Sequence, residues 1–110
     1  MSENQCCSLV PGACCSLEIS QPEAERLVMM FKALGNPKRF EVLKFLVTHP
    51  GCITGDIVEH LTIAQATVSQ HLKVLRDAGW VDGIVEGPAR CYCLNAENIK
   101  WFREKVQRIF

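Results

Sequence analysis

Seven cysteines give this 110-residue chain its most distinctive side-chain chemistry. They comprise two adjacent pairs, one central cysteine and a final couple two residues apart: Cys6, Cys7, Cys14, Cys15, Cys52, Cys91 and Cys93. An odd cysteine count and an N-terminus without a secretory signal argue against structural disulfides. The thiolates are therefore expected to be available as ligands for soft metals or as redox-active groups.

A second group of residues suits contact with DNA. Six polar side chains crowd the first half of a helical pattern that runs from Ala64 to Ala78: Gln65, Thr67, Ser69, Gln70, His71 and Lys73. Glutamine can pair with adenine through two hydrogen bonds, hydroxyl groups reach bases or phosphates, and lysine neutralises the phosphate backbone. The simpler alternative is a solvated helix face, but the predicted helix-turn-helix and hairpin around it favour DNA.

His71 and a further candidate on the hairpin, Arg90, each have a specific alternative. The ring of His71 could contact a phosphate or pack beside Leu72, and the sequence does not distinguish the two. Arg90 follows the predicted turn Gly87-Pro88, so it could enter a minor groove or meet a phosphate if the hairpin is a wing. It could equally be an exposed charge at the end of a strand.

Apolar periodicity predicts the elements that position these residues. Ser20, followed by Pro22 and Glu23, carries the signature of a capping box and predicts that a helix starts there. Four further helices are expected after Pro37, from Thr54 or Gly55, from Ala64 and after Asn95. The apolar stripes are Leu27, Met30, Phe31 and Leu34; Phe40, Leu43 and Leu46 or Val47; Ile57, Val58 and Leu61; Val68, Leu72 and Leu75; and Ile99, Phe102, Val106 and Ile109. The stripe of the fourth helix is expected to face inward, whereas those of the first and last helices are expected to remain exposed.

A β-hairpin is predicted between the fourth and fifth helices. Val81 to Val85 and Arg90 to Leu94 have strand-like composition and flank the turn at Glu86-Gly87-Pro88. The fold class is therefore mainly α with a β-hairpin, a winged helix-turn-helix at residues 21–110 preceded by a flexible cysteine-bearing arm at residues 1–20. Apolar stripes on the first and last helices predict a homodimer formed through them.

Composition excludes several classes of protein. Twelve basic and twelve acidic residues give a net charge of zero, so a DNA-binding function has to rest on local charge rather than on a global positive field. No run of about 18 apolar residues occurs, which predicts a cytoplasmic protein without a membrane partner. There is no C-x-x-C redox motif, no set of nucleophile and base and no Gly-rich phosphate loop, so an enzyme is not expected.

Three segments resemble the ArsR/SmtB family of metal-sensing transcriptional repressors. They are MFKALGNPKRFEVLKFL from Met30 to Leu46, TVSQHLKVLRDAGWV from Thr67 to Val81, and RCYCL at the end of the hairpin. The resemblance covers roughly residues 23–110. It implies a winged-helix homodimer, joined through its first and last helices, that binds operator DNA without metal and releases it when metal binds.

The resemblance also guides the assignment of the thiols. Trivalent arsenic and antimony prefer three thiolates, whereas zinc takes four ligands of mixed type. Some arsenic sensors of this family combine an adjacent N-terminal cysteine pair with a cysteine near the third helix, and Cys14, Cys15 and Cys52 resemble that arrangement. The third helix lacks the family's more typical paired-cysteine box, and the last helix has no histidine, which disfavours zinc between the dimer helices.

The remaining cysteines are weaker candidates. Cys6 and Cys7 could form a second donor pair, while Cys91 and Cys93 share one face of a strand and could chelate, oxidise or simply pack. Cys52 itself could be a small buried apolar residue.

The sequence thus predicts a repressor that arsenite or antimonite releases from double-stranded operator DNA. Two alternatives remain. The same fold could sense another thiophilic metal, an organoarsenical, a persulfide or an oxidant. A protein of a different class, a thiol metal carrier or redox protein, would not bind DNA.

Overall fold

The computed structural model describes residues 17–86 and 89–110. At residues 52–53, 84–86 and 89–90 it describes the main chain only. Residues 1–16 of the arm predicted at residues 1–20, and the turn at Gly87-Pro88, therefore lie outside the described residues. The elements follow in the order α1 (Gln21–Leu34), α2 (Pro37–Thr48), β1 (Cys52–Ile53), α3 (Thr54–Leu61), α4 (Gln65–Ala78), β2 (Val81–Glu86), β3 (Ala89–Leu94) and α5 (Ala96–Ile109). This confirms the predicted helices and hairpin.

Side-chain caps fix where the helices begin. The hydroxyl of Ser20 accepts the Glu23 amide at 3.3 Å, and the Glu23 carboxylate accepts the Ser20 amide at 3.0 Å, which is the predicted capping box. Asn36 accepts two amides at the start of α2, and Asn95 accepts the Asn98 amide at the start of α5. Each cap satisfies main-chain donors that the first helical turn cannot pair internally.

The end of α4 depends on a glycine in the left-handed region. Gly79 has a φ of 99°, and its amide donates to the Arg76 carbonyl at 3.0 Å. The next amide, that of Trp80, reaches back to the Leu75 carbonyl at 2.9 Å. This pair of bonds is a Schellman motif, which closes the helix and turns the chain into β2.

One apolar core joins the first four helices to the sheet. Met30, Leu46, Ile57, Leu72 and Leu75 are fully buried and belong to a single contact cluster. Trp80 was not predicted to lie in this core. Its ring is buried in the cluster, and its indole nitrogen donates to the Met30 carbonyl at 2.9 Å.

One residue of the stripe predicted on α2 is exposed instead. Phe40 is 43% exposed, whereas Leu46, one of the two alternatives for the end of that stripe, is fully buried and Val47 is 59% exposed. On α2 the buried residues are Val42, Leu43, Phe45 and Leu46. The helix is rotated toward the i, i+3, i+4 set formed by Val42, Phe45 and Leu46, and this rotation turns Phe40 and Val47 outward.

The hairpin belongs to a three-stranded antiparallel sheet with strand order β1-β3-β2. Strand β1 was not predicted, because it contains only two residues and therefore shows no alternation. Cys52 lies opposite Tyr92 of β3, and Ile53 lies opposite Cys91. The strand ties the chain between α2 and α3 to β3, the central strand of the sheet. In the described part of the chain, no helix combines the length and apolarity needed to cross a bilayer.

Candidate nucleic-acid interface

The turn between α3 and α4 presents the start of α4 to solvent. Thr62 adopts a φ of 48°, which reverses the chain within three residues. Ala64 precedes α4 and has no side chain that caps its amides, and the first turn contains no acidic residue. The first amides and the positive end of the helix dipole are thus available to a phosphate.

The apolar face of α4 leaves a polar face outside. Val68, Leu72 and Leu75 are completely buried. Four of the six predicted DNA-contacting residues of α4 are exposed: Gln65, Ser69, Gln70 and Lys73. Hydrogen-bonding groups and a cation therefore stand together on an accessible helix, as direct readout in a major groove requires.

The other two predicted residues of α4 lie closer to the protein. Thr67 and His71 are half-buried. Burial lowers the pKa of the His71 ring, and the positive charge of Arg39 lowers it further. The lowered pKa favours the neutral ring over the charged one, and a contact of His71 with a phosphate stays a prediction.

The charge on this face comes from the middle and end of α4. The Lys73 side chain is 70% exposed, and its ammonium lies 3.8 Å from the Asp77 carboxylate. The Arg76 guanidinium lies 3.7 Å from the same carboxylate. Exposed pairs at these separations are weak, so both cations remain available to a phosphate.

The hairpin places its predicted contact residue at the far end. In the register of β2 and β3, Arg90 lies opposite Val85, next to the undescribed turn. Its main chain is thus at the end of the wing where a contact with DNA was predicted.

A polar brace, formed by Arg26, Asn98, Asn95 and Asp82, connects α1, β2 and α5 to the C-terminal end of α4. Arg26 of α1 donates to the Asn98 side chain at 2.7 Å, and Asn98 donates to the Gly79 carbonyl at 3.0 Å. The Asn95 side chain accepts the main-chain amide of Asn98 and donates to the Asp82 carboxylate of β2 at 3.2 Å. Sequence periodicity missed this connection because its members lie far apart in the chain and none is apolar.

A second contact holds the two terminal helices together. The Lys105 ammonium of α5 lies 2.6 Å from the Glu23 carboxylate of α1. This hydrogen bond, followed by that from the Ser20 amide, lowers the pKa of Glu23 from 4.5 to about 2. Arg26 also stacks 3.9 Å above the Trp101 ring.

The candidate thiol ligands are only partly described. Cys6, Cys7, Cys14 and Cys15 lie outside the described residues. Only the main chain of Cys52 is described, and it lies in β1, two residues before α3 begins at Thr54. Cys91 and Cys93 are half-buried in β3. Among the described residues, no group of three or more cysteines, histidines or carboxylates is arranged to hold a metal ion.

Comparisons with known proteins agree on the helix-turn-helix. Residues 36–82 match the family described as "Bacterial regulatory protein, arsR family". An uncharacterised HTH-type transcriptional regulator of Methanocaldococcus jannaschii is 33% identical over 76 residues, covering 69% of this chain and 85% of that protein. An arsenical resistance operon repressor of Staphylococcus xylosus is 31% identical over 85 residues, covering 77% and 81%.

The fold agrees with a solved structure as well. HlyU from Vibrio cholerae superposes with a TM-score of 0.67 at 26% identity, covering 83% of this chain and 98% of HlyU. With its helix-turn-helix, its hairpin and these relatives, the chain belongs to the ArsR family of DNA-binding transcriptional regulators.

Proposed function

We propose that this regulator is a repressor that As(III) or Sb(III) releases from its operator by binding to Cys14, Cys15 and Cys52. A relative named as an arsenical resistance operon repressor supports this ligand class. The supply of thiols supports it independently, because an adjacent pair and a third cysteine provide the three soft ligands that a trivalent metalloid prefers. Residues 1–20 act as the arm that delivers two of these ligands.

The position of Cys52 carries the proposal. Its main chain lies in β1, immediately before α3, and it pairs with Tyr92 of β3. A bond formed at Cys52 therefore acts on the helix-turn-helix through α3 and on the wing through β3. A ligand that favours one arrangement of these elements changes DNA affinity by its differential affinity for the two states, typically about 1–3 kcal/mol.

The same account requires a homodimer. The amphipathic helix α5 has no fully buried residue in the single chain. Next to it, an apolar hollow is lined by Leu17, Ile19, Ala24, Leu27, Val28, Phe31 and Ile109. Leu17, Val28 and Phe31 remain 60%, 54% and 47% exposed. A second copy that covers this surface would remove the apolar area from water and pair two DNA-reading helices.

Arsenic X-ray absorption of the reduced protein with one equivalent of arsenite tests the ligand set. The expected spectrum has three sulfur neighbours per arsenic, and C52S should reduce the sulfur count to two. The double variant C91S/C93S is the matched control and should keep three. An unchanged sulfur count in C52S contradicts the proposed site, and a loss in the control would move the site to the wing. Failure to bind arsenite would favour another thiophilic signal on the same fold.

A further inference from the structure

Two histidine rings meet at the junction of α2 and α3, beside the proposed arsenic ligand but on other residues. His49 follows the last residue of α2, and His60 lies in the last turn of α3. Their ring centres are 5.3 Å apart, with the planes inclined by 51°. Phe45 stacks on His49 at 4.1 Å and touches His60 at 4.9 Å, so one aromatic side chain orients both rings.

The His49 ring makes its hydrogen bonds through Nδ1. This atom lies 3.2 Å from the Phe45 carbonyl oxygen and 2.8 Å from the Thr48 hydroxyl. The same carbonyl oxygen accepts the His49 main-chain amide at 2.9 Å and lies 3.1 Å from the Thr48 hydroxyl. In the tautomer in which Nδ1 carries the proton and donates to these oxygens, the lone pair lies on Nε2.

This is the arrangement of a histidine prepared to bind a metal. Metal-ligating histidines commonly donate their second ring nitrogen to a main-chain carbonyl, which fixes the tautomer and the orientation of the ring. Two imidazoles bound to one tetrahedral zinc ion at about 2.1 Å have ring centres roughly 5 Å apart. The observed separation of the two ring centres, 5.3 Å, is close to this value.

We infer that His49 and His60 form a binding site for a divalent borderline metal such as Zn²⁺, with water completing the coordination. Borderline ions prefer imidazole, whereas As(III) prefers thiolate, so the site is chemically distinct from the proposed arsenic site. An ion held here would join the end of α2 to the end of α3 and thereby fix the helix-turn-helix against the core. The inference does not depend on arsenic sensing.

The chain contains three histidines, which makes a direct test possible. Ring resonances of the reduced, full-length protein are followed by NMR while Zn²⁺ is added. Because the thiols also bind zinc, the reporter is the histidine ring rather than the total metal bound. The His49 and His60 resonances should shift together with one saturation curve, while His71 on α4 serves as the internal reference and stays in place.

Mutual dependence of the two rings separates a shared ion from other effects. H60Q should abolish the zinc-induced shift at His49, and H49Q should abolish that at His60, with His71 unshifted in both variants as evidence of an intact fold. A His49 shift that persists in H60Q would overturn the inference, because it would arise from metal bound elsewhere. Absence of any shift at both rings up to millimolar zinc would also overturn it and leave an aromatic cluster only.

Discussion

Substitution of Gly79 by alanine should destabilise the fold through two separable effects. The φ of 99° is left-handed, and placing an L side chain there costs about 1–2 kcal/mol. The added Cβ would also lie 3.0 Å from Nδ2 of the Asn98 side chain, which donates to the Gly79 carbonyl. The amide is the end of a flexible side chain, so it can move away, and the cost of that movement is its hydrogen bond, about 0.5–1.5 kcal/mol. We therefore expect a loss of about 1.5–3.5 kcal/mol for G79A.

A double-mutant cycle with N98A distinguishes these two effects. In the N98A background there is no amide to displace, so G79A should cost only the strain of the left-handed backbone. The double variant should thus be more stable than the sum of the single effects predicts by about 0.5–1.5 kcal/mol. Urea unfolding at one fixed protein concentration measures all four proteins, because a dimer's stability depends on concentration. Additivity within about 0.3 kcal/mol would refute the contact between Asn98 and the end of α4.

Three further predictions address the ion pair, the DNA face and the dimer surface. The pKa of Glu23 is lowered from 4.5 to about 2, so the ionised carboxylate stabilises the fold fully above pH 4.5 and progressively less as the pH falls toward 2. Urea midpoints should therefore decrease from pH 4.5 to pH 2. E23Q should flatten this part of the pH profile. K73A should weaken binding to all DNA sequences alike and reduce the slope of log Kd against log salt concentration by about 0.9. The control is K44A on α2, where the lysine side chain is 55% exposed, and it should leave the slope unchanged. Equal slopes for K73A and the parent would exclude a phosphate contact. V28D should convert a dimer to a folded monomer in sedimentation equilibrium while V47D, on a comparably exposed valine, stays dimeric; a dimeric V28D would place the interface elsewhere.

Most helices could be predicted because local signals define them. The capping box at Ser20, the cap at Asn95 and the stripe Val68, Leu72 and Leu75 depend only on nearby residues. The rotation of α2 could not be predicted, because both Phe40 and Val42 belong to plausible apolar stripes and the choice depends on packing against α3 and α4.

Tertiary contacts explain the other omissions. Strand β1 is too short to show a period, and it exists because β3 pairs with it. The hydrogen bond from the Trp80 indole to Met30 joins residues 50 positions apart. In the polar brace, Asn98 is bonded to Arg26, 72 positions away, and to Gly79, 19 positions away. No local sequence pattern indicates contacts at these separations. All six candidate DNA-contacting residues of α4 were predicted from the sequence. The structure adds that Thr67 and His71 are half-buried, whereas the other four are exposed. This distinction depends on how α4 packs and could not be predicted from the sequence.

Fluorescence anisotropy of an operator duplex tests the central claim most directly. The reduced protein is bound to labelled DNA from the promoter region of its own gene and titrated with arsenite. The account predicts release at near-stoichiometric arsenite, loss of release in C52S and normal release in C91S/C93S. DNA binding that is indifferent to arsenite, or equal release from the C52S protein, would contradict it.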